Sequence, residues 1–346
     1  MPILIRTAAR MATEVDVARM RRAMVNADGS RLITSPNPWV GAVLVSEFAE
    51  VFDGATELYG GRHAERVALD EAGDEARGSE VYTTLEPCRH TGRTGPCSQA
   101  LIDARVARVV IGVLDPDPNV AGRGADDLRA AGIEVEVGVE AAAVSEQLAP
   151  YLHHRRTGRP WVVLKLATTF DGRLAAPDGT SGWITGPEAR ADVHRLRAES
   201  DAICVGAGTV RIDDPALTVR DYAPDRDVPD DRLHPRRIVL GSVPADARVQ
   251  PAESVAGDLD DLLDRLGADG VLQVLVEGGA VVAGDFHRAG LVNRYVVYVA
   301  PAALGGDDGV PVFAGAGAVT MADIWRGQFI DVTRLGADIR LTIGSA

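Results

Sequence analysis

The residue types most suited to chemistry in this sequence are concentrated in two short stretches, HAERVALD and TLEPCRHTGRTGPC. The first begins with His63 and has Glu65 two residues later, and the second contains Cys88 and Cys97. These are two of only three cysteines in a chain of 346 residues. One histidine and two cysteines can hold zinc and leave a fourth tetrahedral position open, which is typical of catalytic rather than structural zinc sites.

A zinc ion held in this way lowers the pKa of its water toward neutrality. Hydrolytic deamination then needs a carboxylate that is not a ligand to move protons, and Glu65 suits that role. Base deaminases have H-x-E followed by P-C-x-x-C, whereas eight residues separate the two cysteines here. The alternative is two unpaired core cysteines and a surface histidine, but the polar, glycine-rich RHTGRTG loop between them is unlike a core segment.

The surrounding pattern predicts the elements that would position these residues. Helices are predicted at 14–28, in HAERVALDEAG with His63 at its start, and from Pro96 onward. Apolar strands are predicted at 39–46 and 107–113, and SEVYTTLEPC reads as a strand that runs into a loop. Strands that alternate with helices indicate an α/β fold with a mostly parallel sheet.

The length of the chain favours two domains. The basic, polar segment YLHHRRTGRPW interrupts the alternation, so the sequence predicts a first domain over 1–150, a solvated linker over 151–160 and a second α/β domain over 161–346.

Composition restricts the class of protein. The net charge is −14 and there is no Lys/Arg-rich run, which argues against a general nucleic-acid binder; an anionic small molecule needs only a few local arginines. The N-terminal apolar run is cut by Arg6 and is too short for a signal peptide or a membrane span. Three cysteines argue against a disulfide framework. We therefore expect a cytoplasmic protein that acts on a small molecule, not on nucleic acid or membranes.

The second half contains two glycine-rich turns. VGAGTVRID has Gly206 and Gly208, but Arg211 stands at the third position, so the dinucleotide-binding fingerprint is incomplete. VLVEGGAVVAGDF predicts a strand, a Gly278-Gly279 turn and a helix whose start could receive a pyrophosphate; an ordinary glycine turn is equally compatible. Lys165 interrupts an apolar strand, and lies either at an exposed edge or in a site.

Motifs in both halves resemble one family. PCRHTGRTGPC, SPNPWVGAVLV, DPDPNVAGRG and LIDARVARVV in the first half, and LKLATTFDGRLA, SGWIT, GTVRIDDPALTVR and VEGG in the second, are similar to the bifunctional riboflavin-biosynthesis deaminase/reductase family. The resemblance spans nearly the whole chain in the family's order. It implies an N-terminal cytidine-deaminase-like α/β/α domain and a C-terminal dihydrofolate-reductase-like α/β domain.

For the first domain, the resemblance implies zinc-dependent removal of the C2 amine of 2,5-diamino-6-(5-phosphoribosylamino)pyrimidin-4-one. It makes His63, Cys88 and Cys97 the zinc ligands and Glu65 the catalytic proton shuttle. The implied substrate contacts are Asn37 for the pyrimidine, His90 and Arg93 for the ribose phosphate, and Thr56. Thr56 stands where the family commonly has a histidine near the phosphoribosyl group.

For the second domain, the resemblance implies hydride transfer from NADPH to the ribose C1′ of the deaminated pyrimidine, which yields a ribityl chain. The implied NADPH contacts are Ala167, Trp183, Thr209, Asp213, Ser242, Gly279, Ala280, Val281, Val282, Ala283, Gly284 and Asp285. The expected substrate contacts are Lys165, Ser181, Arg197, Leu217, Arg220 and Glu277. This chain has EGGAVVAG where the family usually has EGGPTLAG.

Two alternatives stay open at this point. A nucleic-acid base deaminase would share H-x-E but usually has the short C-x-x-C and a basic face. A reductase whose first domain survives as a zinc-stabilised module is supported only by Thr56. Whether the chain is the bifunctional enzyme or a reductase only, we expect a homo-oligomer, either a dimer or a tetramer.

Overall fold

The computed structural model describes residues 12–89, 95–180, 182 and 184–345 of the chain. The chain divides into two compact units, Met1–Thr157 and Gly158–Ala346. The helices are α1 (Glu14–Asp28), α2 (Arg31–Thr34), α3 (Ala64–Ala72), α4 (Cys97–Ala104), α5 (Arg123–Ala130), α6 (Ala141–Gln147), α7 (Ala149–Thr157), α8 (Pro187–Ala198), α9 (Ala207–Asp213), α10 (Asp230–Leu233), α11 (Leu259–Ala268) and α12 (Ala280–Arg288).

The strands are β1 (Gly41–Val45), β2 (Val51–Ala55), β3 (Glu80–Leu85), β4 (Arg108–Val113), β5 (Glu134–Val137), β6 (Trp161–Thr169), β7 (Arg173–Ala175), β8 (Ala202–Gly206), β9 (Arg236–Leu240), β10 (Glu253–Val255), β11 (Gln273–Val276), β12 (Arg294–Ala300), β13 (Val310–Pro311), β14 (Gly327–Leu335) and β15 (Asp338–Ser345). In the part of the chain that is described, no helix is long and apolar enough to cross a membrane.

The first unit contains a five-stranded sheet in the order β2-β1-β3-β4-β5. Strand β1 runs antiparallel to both β2 and β3, whereas β3, β4 and β5 are parallel. The prediction of a mostly parallel sheet is therefore wrong for one side of this unit. The reason is the short connection between β1 and β2, which reverses the chain directly and leaves no room for a crossover helix.

Two glycines allow helices to approach this sheet closely. A Cβ atom on Gly41 would lie 1.8 Å from the carbonyl oxygen of Ala23 in α1, and a Cβ atom on Gly54 would lie 2.1 Å from that of Ala64 in α3. Any side chain at either position would push the helix away from the strand. The start of α3, which includes Glu65, is thereby held against the sheet.

The segment predicted as the start of a solvated linker is helical. Residues 149–157 form α7, in which Tyr151, Leu152 and His154 are buried, and the units divide between Thr157 and Gly158. The basic residues of YLHHRRTGRPW indicated exposure, but two apolar side chains on the other face of the helix pack into the first unit. The chain leaves this helix at Gly158, whose φ of +76° favours glycine.

The second unit contains an eight-stranded sheet in the order β10-β9-β8-β11-β6-β12-β15-β14. Its first six strands are parallel, and β15 and β14 are antiparallel additions. Apolar side chains of α11 and α12 pack on one face and those of α8 and α9 on the other. The sheet is thus covered on both faces, as the alternation of strands and helices predicts.

Candidate zinc site and reductase cleft

Three potential metal ligands converge in the first unit. The Nδ1 atom of His63 lies 3.5 Å from Sγ of Cys88 and 3.3 Å from Sγ of Cys97. All three ligand atoms lie within 4.8 Å of one another. This is the His/Cys/Cys cluster that the sequence predicts.

Local structure fixes each of these side chains. His63 is the N-cap residue of α3, and Cys97 is the first residue of α4. Cys88 follows β3, and its loop is tied to α4 because the N–H groups of Cys97 and Ser98 donate to Cys88 Sγ (3.4 Å) and to its carbonyl oxygen (3.0 Å). The starts of two helices add positive potential, which favours thiolate ligands. Hydrogen bonds from Cys97 and His63 lower the pKa of Cys88 to about 4.

The dimensions of the cluster suit zinc. Zn–S bonds of about 2.3 Å and Zn–N bonds of about 2.0 Å in a tetrahedral site separate the ligand atoms by roughly 3.5 to 3.8 Å. The sulfur–nitrogen distances of 3.5 and 3.3 Å are close to this spacing. Zinc binds thiolate and imidazole ligands, whereas calcium and magnesium prefer oxygen ligands. Two thiols and one imidazole therefore favour zinc.

Glu65 lies next to the cluster, on the first turn of α3. Its side chain is buried, with 3% of the residue exposed, and burial raises its pKa. Together with His63 and Cys88 it lines a cavity of about 300 Å³. A buried carboxylate in the same cavity as the metal ligands can hold or release a proton during a reaction there.

Two of the predicted substrate contacts, Asn37 and Thr56, line this cavity. The hydroxyl of Thr56 is already used, because it accepts a hydrogen bond from the N–H of Val40 (3.1 Å) and donates to the carbonyl oxygen of Val40 (3.3 Å). The other two predicted contacts, His90 and Arg93, lie outside the described residues.

The sequence analysis missed the residues that form another wall of the cavity. Glu86 is buried, and its carboxylate accepts hydrogen bonds from the N–H groups of Asp115 (3.1 Å), Gly122 (2.9 Å) and Ala125 (3.1 Å). Tyr151 of α7 donates its hydroxyl to Asp115 Oδ2 (3.0 Å). The DPDPNVAGRG motif signalled this loop, but no sequence signal placed α7 beside it.

Charged groups of the second unit meet in a cleft of about 900 Å³. Arg197 of α8 forms a bidentate ion pair with Glu277, which follows β11, with distances of 2.6 Å (Nε–Oε1) and 2.8 Å (Nη2–Oε2). Arg197 Nη1 also donates to the carbonyl oxygen of Thr218 (3.1 Å). The predicted contacts Lys165, Ala167, Asp213, Leu217 and Arg220 line the same cleft.

The charges in this cleft influence one another. Burial lowers the pKa of Lys165, which Glu277 partly offsets. Burial would raise the pKa of Glu277, but Arg197 and Lys165 hold it below its ordinary value. Lys165 therefore lies in a site rather than at an exposed edge, because β6 is a central strand of the sheet.

His194 is a cleft residue that the sequence analysis did not select. Its Nδ1 accepts a hydrogen bond from the backbone N–H of Arg220 (3.1 Å). Burial, with the nearby Arg197 and Arg220, lowers its pKa. His194 lies three residues before Arg197 on α8, so the helical spacing could have indicated it.

The predicted glycine turn is a helix start. Gly279 is the N-cap residue of α12, and the N–H of Ala283 donates to the carbonyl oxygen of Gly279 (3.0 Å). The N–H groups of the first three residues of α12 precede the first such bond, which suits a phosphate. A Cβ atom on Gly279 would lie 3.6 Å from Thr209 Oγ1, so these two predicted NADPH contacts are adjacent.

The remaining predicted NADPH contacts differ in their surroundings. Ala280, Val282 and Ala283 are buried side chains, whereas Val281 is exposed. Gly284 and Asp285 lie a turn further along α12, where Asp285 pairs with Arg288 (2.7 Å). Ser242 is an exposed loop residue after β9. The predicted contacts Ser181 and Trp183 lie outside the described residues.

Each of the two units matches the model of a known protein family. Residues 13–113 match the family model of the cytidine and deoxycytidylate deaminase zinc-binding region, and residues 160–341 match that of the RibD C-terminal domain. These matches confirm the predicted cytidine-deaminase-like first domain and reductase second domain.

Relatives and solved structures cover almost the whole chain. Riboflavin biosynthesis protein RibD of Mycobacterium tuberculosis (strain CDC 1551 / Oshkosh) is 45% identical over 321 residues, which cover 90% of this chain and 91% of the relative. Acinetobacter baumannii RibD, form 1, aligns with a TM-score of 0.88 and 35% identity over 96% of this chain and 99% of that one.

A Thermotoga maritima diaminohydroxyphosphoribosylaminopyrimidine deaminase/5-amino-6-(5-phosphoribosylamino)uracil reductase aligns with a TM-score of 0.83 and 30% identity over 96% of this chain and 99% of that one. These alignments extend across both units in the same order along the chain, so the similarity is not limited to one domain. The chain therefore belongs to the RibD family of riboflavin biosynthesis enzymes, with a zinc-binding deaminase domain followed by an NADPH-dependent reductase domain.

Proposed function

We propose that the chain deaminates 2,5-diamino-6-(5-phosphoribosylamino)pyrimidin-4-one and then reduces the ribosyl group of 5-amino-6-(5-phosphoribosylamino)uracil to ribityl. The observation that carries the proposal is the His63, Cys88 and Cys97 cluster with Glu65 in the same cavity. The name of the Thermotoga relative, which contains both activities, supports the choice of substrates.

In the deaminase site, zinc on His63, Cys88 and Cys97 supplies an open coordination position at which the pKa of water falls toward neutrality. With zinc held there, Glu65 would take a proton from the attacking water and pass it to the ring nitrogen beside C2. It would then carry the second proton of that water to the amine, so that ammonia departs and a carbonyl remains. Burial raises the pKa of Glu65, which makes its carboxylate a stronger base for taking a proton from water. Asn37, which lines the same cavity, orients the pyrimidine.

In the reductase cleft, NADPH supplies the hydride. The N-terminus of α12, with Thr209 beside it, binds the cofactor phosphates. Arg220 has an exposed side chain in the cleft and binds the phosphate of the substrate. Arg197, Glu277 and Lys165 form a fixed set of charges that orients the ribose, and His194 fixes the backbone of Arg220.

Ammonia release and NADPH oxidation test this function separately. We expect ammonia from the diaminopyrimidine without NADPH, and NADPH oxidation only with the deaminated pyrimidine or after deamination. NADPH oxidation without any ammonia release would favour the reductase with a zinc-stabilised module. Ammonia release from a single-stranded oligonucleotide, but not from the diaminopyrimidine, would favour a nucleic-acid base deaminase.

Metal content is the first quantitative prediction. We expect about one zinc per chain, because three ligands of suitable type and spacing leave one position open. Elemental analysis of the purified protein measures this directly. Replacing Cys97 with serine should remove most of the zinc and the deaminase activity, whereas Cys204→Ser, at a buried cysteine of the second unit, should retain the zinc. Full zinc content in the Cys97 variant would contradict the ligand assignment.

We also propose a homo-oligomer in the cytoplasm that binds neither nucleic acid nor membranes. Strand β14 is an edge strand with exposed Phe329, Ile330 and Val332, and a row of apolar side chains on an edge strand favours association with a second copy. The sequence has only three cysteines, two of them in the zinc cluster, and therefore no disulfide framework that would need an oxidising compartment. The net charge of −14 disfavours a nucleic-acid partner.

A further inference from the structure

We propose that Arg155, on α7, binds the phosphate of the deaminase substrate, an inference that rests on the proposed deaminase function. Arg155 belongs to the segment that the sequence analysis assigned to a solvated linker. In the structure it lines the same cavity as His63 and Glu65. Arg155, His63 and Glu65 all belong to the first unit.

The surroundings of Arg155 hold its guanidinium in place without saturating it. The group stacks over the ring of Tyr151 (4.9 Å to the centroid), and Nη2 donates to the carbonyl oxygen of Pro36 (3.3 Å). Nη1 lies 3.2 Å from Nδ1 of His154. Among the described residues no acceptor bonds Nε. Nε itself is buried, but Nη1 and Nη2 each carry two N–H groups and have one such neighbour each. Each therefore leaves a donor for a ligand at a preorganised position.

The described lining of the cavity is acidic, so a phosphate bound there needs a cation beside it. Four carboxylates line it, those of Glu65, Glu86, Asp115 and Asp117. His63 is already committed to the metal cluster, so Arg155 is the cation in the described lining that can meet a phosphate. The nearest carboxylate, Asp117, lies 4.0 Å from Arg155 Nε, which is beyond hydrogen-bond distance. A planar guanidinium can bind two phosphate oxygens at once.

Thr56 cannot supply this contact in its place. Thr56 is buried, and its hydroxyl is hydrogen-bonded to both the N–H and the carbonyl oxygen of Val40. The histidine that the family commonly has at this position is thus replaced by a side chain that is neutral and engaged elsewhere. Arg155 restores the missing positive charge from a different element of the fold.

The test is steady-state deamination by Arg155→Met in the full-length, zinc-loaded protein. We expect KM for the phosphorylated diaminopyrimidine to rise at least tenfold, which corresponds to about 1.4 kcal/mol, with kcat changed much less. Arg155→Lys should recover part of the loss, because lysine restores the charge without the planar fork. Arg156→Met, at an exposed neighbour on α7, is the matched control and should keep the wild-type KM.

A phosphate-free riboside of the same pyrimidine separates binding from a structural effect. If Arg155 binds phosphate, kcat/KM for the riboside should be nearly equal in wild-type and Arg155→Met. Equal losses on both substrates, or an unchanged KM for the phosphorylated one, would overturn the inference while leaving the deaminase function intact. Absence of ammonia release by the wild-type protein would instead overturn the proposed function, and the inference with it. The zinc content of the variant reports whether its first unit is folded, because the three ligands belong to that unit.

Discussion

Replacing Glu65 with glutamine should lower kcat for ammonia release by about a thousandfold, within the range of roughly 10² to 10⁴ for loss of a general acid–base group. Glutamine has nearly the same shape and can fill the buried position, but it can neither take a proton from water nor deliver one to the leaving amine. Because Glu65 is not one of the three clustered ligands, zinc content should stay the same. The measurement is ammonia release under saturating substrate, together with elemental analysis.

The reductase activity of the same variant is the internal control. It should be nearly unchanged, because the cleft that contains Lys165 and Glu277 belongs to the other unit. Glu71→Gln removes an exposed carboxylate from the same helix and should leave both activities intact. If Glu65→Gln lost zinc or the reductase activity as well, its role would be structural.

Replacing Arg197 with alanine should lower the free energy of unfolding of the second unit by about 3 to 5 kcal/mol, the usual effect of removing one partner of a buried ion pair. Arg197 and Glu277 are 11% and 8% exposed in their side chains, so Glu277 would be left as a buried charge without its bidentate partner, with Lys165 as the remaining counter-charge. Reductase activity should fall with the distortion of the cleft. Urea unfolding followed by tryptophan fluorescence can measure this, since three of the four tryptophans lie in the second unit.

Two further variants should be compared with Arg197→Ala. Arg220→Ala should leave the unfolding free energy unchanged, because its side chain is exposed, but should raise KM for the reductase substrate at least tenfold, about 1.4 kcal/mol. Arg197→Met combined with Glu277→Gln should destabilise less than Arg197→Ala, because no buried carboxylate is then left without its bidentate partner. Lys165 loses its counter-charge in this variant, but its lowered pKa allows it to become neutral. A purely kinetic effect of Arg197→Ala, equal to that of Arg220→Ala, would mean that both arginines bind substrate directly.

Local patterns in the sequence predicted the parts of the molecule that depend on neighbours along the chain. Helix α1 spans the predicted residues 14–28, and His63 stands at the start of α3 as expected. The zinc cluster was predictable because its residue types are rare in the chain and their spacing matches one chemistry. Gly279 was likewise predictable as the turn before a helix, since strand, glycines and helix follow one another directly.

Tertiary contacts decided what the sequence could not. Arg197 was predicted only as a substrate contact, and no local pattern indicated that Glu277, 80 residues away in sequence, accepts two hydrogen bonds from its guanidinium. Tyr151 and Arg155 looked solvated because basic residues surround them, and only the packing of α7 on the first unit reveals their place in the cavity wall. The hydroxyl of Thr56 bonds both backbone groups of Val40, 16 residues away in sequence, and no local pattern indicated that contact.

The three hydrogen bonds to Glu86 also determine how the deaminase cavity can move. The N–H groups of Asp115, Gly122 and Ala125 can exchange their hydrogens with solvent only when this carboxylate releases them. Release would leave a buried anion without donors, so opening of this loop and exposure of a charge are a single, energetically costly event. We therefore expect these three N–H groups to be among the slowest-exchanging of the site, and this wall of the cavity to stay in place.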